Sequence, residues 1–366
     1  MRKSLVLVLV ILISLLISLL TGCTALSTPS SPPAPTPATD STNDLAGIKS
    51  YLLTQIDQLQ NSANALQGAA DQYYALAEAA KFDYPTLWAT EGEQVRTVLA
   101  EAKTAWVAAS PLYEQMEGIV AGVPTLAEYD VILDAGAWGA EAPASAVPFD
   151  LTLPDGRVLS KPGNLFGVTE STLWGTEPAY TIAGVQPDLD GNGAIDFGEA
   201  LPDANVLKAG ADALASYTAE LAKAAAAWQP TEADAFTALV VMVPTMSEYF
   251  DSWKNSRFVS GDSSTQRDFV AISRLADIQG ILGGLQIVYG EVKPLVATVD
   301  SSQASQIEQE LVDLKSFVAG VYAEEQGGKH FTAEEADLLG AEAQNRATAV
   351  AGQVAQVAAQ LDIPIE

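Results

Sequence analysis

The stretch YLLTQIDQLQNSANALQGAADQYY, residues 51–74, decides the fold. Its residues Leu52, Ile56, Leu59, Ala63, Leu66, Ala70 and Tyr73 recur at alternating spacings of four and three. That period puts them on one stripe of a long helix, whereas a strand would need alternation at every second residue. Ile307, Leu311, Leu314, Val318 and Val321 repeat the pattern, and so do Ala347, Val350, Val354, Val357 and Leu361. Such stripes bury themselves by packing helix on helix, so the chain is expected to be all-α. One continuous coiled coil is the rival arrangement, but Pro- and Gly-rich loops interrupt the seams too often for it.

Working outward, VPTLAEY at 123–129 recurs as VPTMSEY at 243–249, each preceded by a tryptophan, Trp106 and Trp228. The repeat predicts two pseudo-symmetric helical bundles, at residues 44–145 and 203–366, with Glu128 and Glu248 as equivalent helix-bracing carboxylates. The intervening residues 146–202 break the helical pattern. Phe149 to Leu159 alternates around Pro-Asp-Gly, which reads as a small inserted hairpin.

A second pattern inside the insert carries chemistry. Residues 188–199 read DLDGNGAIDFGE and match D-x-[DN]-x-[DN]-G-x5-E, the calcium loop of an EF-hand. Ca2+ is a hard cation that takes six to eight oxygens. Asp188, Asp190 and Asn192 are expected to supply side-chain oxygens, and Ala194 its carbonyl. Asp196 is expected to bind directly or through water, and Glu199 to close the site with both oxygens. Gly193 permits the sharp turn, and Ile195 sits where such loops turn an apolar side chain inward. A solvated acidic turn is the alternative. Pro187 and Pro202 flank the loop and no second copy exists, so a lone structural site is expected rather than a switch.

The 366 residues carry a formal net charge of −28, with one cysteine and one histidine. Nucleic-acid binding needs basic stripes that release counterions, and there are none. One cysteine excludes an internal disulfide or a thiolate zinc cluster, and one histidine excludes an H-E-x-x-H zinc site. His330 lies in a Gly-rich loop and reads as a surface residue.

Arg2 and Lys3 precede an apolar run from Leu5 to Leu20 that ends in Leu-Thr-Gly-Cys23. This order is that of an export signal, and its end is similar to the lipobox of bacterial lipoproteins. The resemblance implies cleavage before Cys23, a lipid on its sulfur and an extracytoplasmic, membrane-anchored location. A plain membrane-spanning helix is the alternative. Residues 24–43 are rich in Pro, Ser and Thr and form an extended tether.

LFGVTESTLWG at 165–175 resembles the signature helix of the imelysin-like family, G-x-H-x-x-E with a Leu-Trp-Gly tail. Glu170, Leu173, Trp174 and Gly175 match. The family's His falls on Gly167 and its Gly on Leu165. The run Tyr289 to Leu295 into paired long helices agrees with the same family. The resemblance implies two helical bundles, an extracytoplasmic protein and a link to peptidases or to iron uptake, with Glu170 as a further cation ligand or a helix brace. Gly167 has no side chain to ligate a metal or move a proton, so a non-enzymatic protein is expected, with an envelope protein or a cation as partner. A carboxylate-based hydrolase using Glu170 with Glu128 or Glu248, and a calcium-stabilised adhesion scaffold, are the alternatives.

Overall fold

Caps and apolar stripes set out the helices. The computed structural model describes residues 45–139 and 149–366. The export signal, Cys23, the tether and the expected boundary near residue 145 lie outside the described residues. In chain order the helices are α1 (Ala46–Ala79), α2 (Tyr84–Val120), α3 (Ala127–Asp130), α4 (Leu165–Trp174), α5 (Ala204–Ala227), α6 (Glu232–Met242), α7 (Met246–Asn255), α8 (Arg257–Ser260), α9 (Arg274–Val299), α10 (Ser301–Gln326) and α11 (Ala333–Gln360). Asp83 caps α2 and Asp300 caps α10 by accepting backbone N–H bonds. Thr231 with Asp234, and Thr332 with Glu335, form reciprocal capping boxes on α6 and α11. Among the described residues, no helix is long and apolar enough to cross a membrane.

The fold is an all-α helical bundle. The seam quoted first is the buried face of α1, from Leu52 to Tyr73. Each fully buried Leu or Ile contributes roughly 1.5–3 kcal/mol. The seams of α10 and α11 are buried likewise, except that Leu361 caps α11 and is only half-buried. α1 packs on α2 and α5, while α9 packs on α10 and α11 packs on α6, α7 and α10. α5, although it follows the insert in sequence, also packs on α4. One continuous apolar core joins both groups through the contact of α2 with α9. Glycines set that contact: a Cβ on Gly284 would lie 2.3 Å from the Gln115 carbonyl oxygen, and one on Gly280 would lie 3.2 Å from Glu114 Cβ.

The two repeat copies occupy related places. Each leaves a helix, turns through Val-Pro-Thr and enters a short helix, α3 or α7, with its glutamate exposed. α3 runs into a five-residue π-turn at Val131–Ala135, whereas α7 continues for ten residues. The tryptophans differ. Trp106 lies buried within α2, but Trp228 ends α5, one helix before α7's partner turn.

The hairpin pairs β1 (Leu151–Thr152) with β2 (Val158–Leu159), antiparallel, around Pro-Asp-Gly. Gly156 takes φ +88°, which the turn requires. Leu151 and Leu153 bury against Val168, Tyr180 and Val206 in a small second core.

Candidate metal centre

The loop at 188–199 begins where two backbone bonds close its base, from Ile182 N–H to Leu201 O at 2.9 Å and from Asp203 N–H to Tyr180 O at 2.8 Å. No helix flanks it on either side; the next helix begins at Ala204. Asp188 accepts the N–H groups of Gly191 and Gly193 at 2.7 and 2.9 Å, which folds the chain back on itself. Gly191, Gly193 and Gly198 all take positive φ, as so tight a path demands.

The path brings carboxylate oxygens of Asp188, Asp190 and Glu199 within 4.8 Å of one another. Two opposite oxygens around one calcium are separated by at most about 5 Å, twice its usual 2.3–2.6 Å ligand distance. The spacing therefore fits that ion. Asn192 Oδ1 accepts the Ala194 N–H at 2.7 Å, and its amide donates to Asp190 at 2.9 Å. Ala194 and Asp196 are exposed, and the Asp196 carboxylate is not in the three-residue group. Ile195 differs from expectation, since it is 48% exposed. An inward apolar residue at that place needs a second loop to pack on, and this loop has none.

Glu199 closes the turn. It accepts N–H bonds from Leu189, Asp190 and Asp196 at 2.6, 3.0 and 2.9 Å. Burial pushes its carboxyl up, but those three donors outweigh burial and hold it below the usual range. Cations of the scaffold grip the backbone at both ends. Arg96 Nε donates to the Asp188 carbonyl at 2.8 Å, and Lys103 Nζ to the Gly198 carbonyl at 2.6 Å. Burial lowers the Lys103 ammonium, against the pull of Glu199 and Asp190. The Arg257 guanidinium lies 3.7 Å over the Phe197 ring.

The motif helix α4 is buried from Leu165 to Leu173. Its hydroxyls are satisfied within the helix: Thr169 donates to Leu165 O at 2.9 Å and Thr172 to Val168 O at 2.6 Å. Trp106 of α2 donates to Thr169 Oγ1 at 3.0 Å and meets Trp174 edge-on. A Cβ at Gly167 would lie 2.9 Å from Asp268 Oδ2 and 3.0 Å from Asn164 Oδ1. A side chain at Gly167 would therefore have to displace the Asp268 carboxylate and the Asn164 amide that caps α4.

Glu170 is 1% exposed and accepts the N–H groups of Phe269, Val270 and Ala271 at 2.6, 2.9 and 2.7 Å. Burial raises its carboxyl to about 8 despite these donors. Both its oxygens thus serve the turn in which Phe269 takes φ +55°. Glu128 is exposed, and Glu248 stands at the rim of a cleft of about 500 Å3. His330 is exposed between α10 and α11.

The sequence reading missed a second carboxylate group, part of which (Glu117, Asp130 and Asp134) lines that cleft. Glu114 and Glu117 of α2, Asp130 and Asp134 of the π-turn region, and Asp277 of α9 are all buried around one cation, Arg274. Arg274 donates to Glu114 Oε1 at 3.0 Å and to Asp277 Oδ2 at 3.2 Å. Its guanidinium is stacked 3.8 Å over Phe269, the residue Glu170 holds. Tyr249 donates to Glu117 Oε1 and Tyr113 to Asp130 Oδ1, both at 2.7 Å. Burial raises Glu114 and Asp134 well above the carboxylate range, Asp130 to about 8 and Asp277 to about 6. The available signal was Glu-x-x-Glu set inside the apolar stripe of Tyr113, Met116, Ile119 and Val120.

The family model Peptidase_M75, described as Imelysin, matches residues 48–362. No curated protein matches the chain.

Proposed function

This chain belongs to the imelysin family, and from that premise we propose that it is a calcium-stabilised, lipid-anchored cell-surface protein that acts by binding rather than by catalysis. The observation that carries the proposal is the convergence of Asp188, Asp190 and Glu199 to within 4.8 Å on a loop gripped by Arg96 and Lys103. One Ca2+ there takes oxygens from those three residues, with Asn192, Ala194 and Asp196 completing the shell. It offsets the repulsion among clustered carboxylates and fixes the insert against α2. Extracytoplasmic calcium is plentiful enough that a dissociation constant near 10⁻⁴–10⁻³ M suffices.

The binding role is supported by the motif helix. Gly167 offers no side chain, and both oxygens of Glu170 are engaged by backbone N–H groups. A lipid on Cys23 and the tether behind it hold the helical body at a membrane surface. The resemblance noted in the sequence extends the proposal to metal uptake, with iron as the named case.

Titration calorimetry of Ca2+ tests the loop. One ion per chain is expected, with binding lost in Asp188→Ala and Glu199→Gln. An unchanged titration in both variants would reject it. For the anchor, Cys23→Ala should move the protein out of the membrane fraction. For the uptake role, a deletion strain should accumulate less iron under limitation, and normal accumulation counts against that part alone.

A further inference from the structure

The calcium loop leaves the second carboxylate group unexplained. We propose that Glu114, Glu117 and Asp134 form a separate site for a hard divalent cation, entered through the cleft beside α7 and independent of the calcium loop.

Oxygens of these three residues lie within 4.8 Å of one another, and the residues are only 2–4% exposed. Each has a buried oxygen without a hydrogen-bond partner: Glu114 Oε2, Glu117 Oε2 and Asp134 Oδ2. Buried polar atoms are nearly always paired, and a carboxylate left unpaired in an apolar setting is costly. Three carboxylates that converge, each keeping an unpaired oxygen, mark a place prepared for something that binds oxygen. The nearest cation does not fill it. Arg274 places only Nη1 on Glu114 Oε1 and Asp277, and its Nη2 stands 3.8 Å from Asp134 Oδ2, an ion-pair distance beyond hydrogen-bond reach.

The other oxygens of two of these residues are fixed. Tyr249 holds Glu117 Oε1 and Arg274 holds Glu114 Oε1, so the free oxygens cannot swing away without breaking those bonds. Such outer bonds orient metal ligands. Glu114 and Glu117 sit three apart on α2 and so share a face, and the π-turn at Val131–Ala135 delivers Asp134 to the same point. π-turns recur at functional sites. The donors are all carboxylate oxygens, with neither imidazole nor thiolate, which suits Mn2+ or Mg2+ better than Zn2+ or Cu2+. An entry path exists, because Glu117, Asp134 and Arg274 line the cleft of about 500 Å3.

Mn2+ is the probe, read by electron paramagnetic resonance on the full-length protein in detergent. The loop is first disabled by Asp188→Ala with Glu199→Gln. One Mn2+ per chain should still bind, and Glu117→Gln or Asp134→Asn added to that background should weaken it at least tenfold. These amide replacements keep shape, and circular dichroism checks that the helices persist. Absence of bound Mn2+ in the loop-disabled chain would overturn the proposal whether or not the cluster variants fold. So would Mn2+ affinity unchanged by both amide variants.

Discussion

Among the described residues, two groups of three carboxylates meet closely, and they are held together in opposite ways. Asp188, Asp190 and Glu199 come from twelve consecutive residues on an exposed turn. Their repulsion is met by backbone N–H groups, and Glu199 is held ionised below the usual range. Glu114, Glu117 and Asp134 come from two separate segments and are buried between α2, the π-turn and α9. There, burial forces the carboxyls of Glu114 and Asp134 upward, and one arginine serves as counter-charge. The comparison teaches that the same chemistry can be written locally by spacing or globally by packing.

The largest expected effect lies on the buried side. Arg274→Met removes the only cation in the cluster among the described residues, and breaking a buried charge network typically costs about 3–5 kcal/mol. Chemical denaturation should show a loss of that order. A loss below about 1 kcal/mol, within the range of exposed ion pairs, would mean that the buried group is no more demanding than the loop.

Next comes the loop. Glu199→Gln should abolish stabilisation by calcium. At a free concentration a hundred times the dissociation constant, that stabilisation is about 2.7 kcal/mol. Thermal melts with calcium and with chelator should therefore coincide for the variant and differ for the parent chain.

A third effect separates the two regions by pH. Asp130 and Glu170 both have folded values of about 8, far above ordinary carboxyls. The folded state thus holds extra protons between roughly pH 4 and pH 8, and the stability they confer is lost as pH rises through that window. Glu199 works in reverse: its stabilisation is present above its ordinary value and is lost as pH falls. In chelator, the melting temperature should decline from pH 5 to pH 8, and Asp130→Asn should flatten the decline. A melting temperature that rises over that range would contradict the buried assignment.

The smallest effect is expected at Ile195. Being 48% exposed, it should tolerate Ile195→Ser within about 0.5 kcal/mol and leave calcium affinity unchanged. A larger loss would place its side chain inward after all.

These regions also show what sequence could and could not reveal. The seams of α1, α10 and α11 were legible because a helix stripe is a purely local period. The hairpin was legible from Pro-Asp-Gly, and the acidic loop from its spacing. Ile195 was misjudged because its orientation depends on a partner loop that this chain lacks. The role of Glu170 was open, since its partners, Phe269 to Ala271, lie about a hundred residues away. The buried cluster was invisible as a site because it forms only when the glycines of α9 let that helix close on α2. Its sole trace was a pair of glutamates in a stripe that should have been apolar.

Terbium luminescence tests the central claim most directly. Tb3+ is a hard oxygen-seeking ion that substitutes for calcium, and Trp174 packs on Gly198 beside the loop, where it can sensitise emission. The account predicts tryptophan-excited emission that Ca2+ displaces, that fades in Trp174→Phe and that drops sharply in Asp188→Ala with Glu199→Gln. Emission that is absent from the parent chain, or that persists undiminished in the double variant, would contradict it.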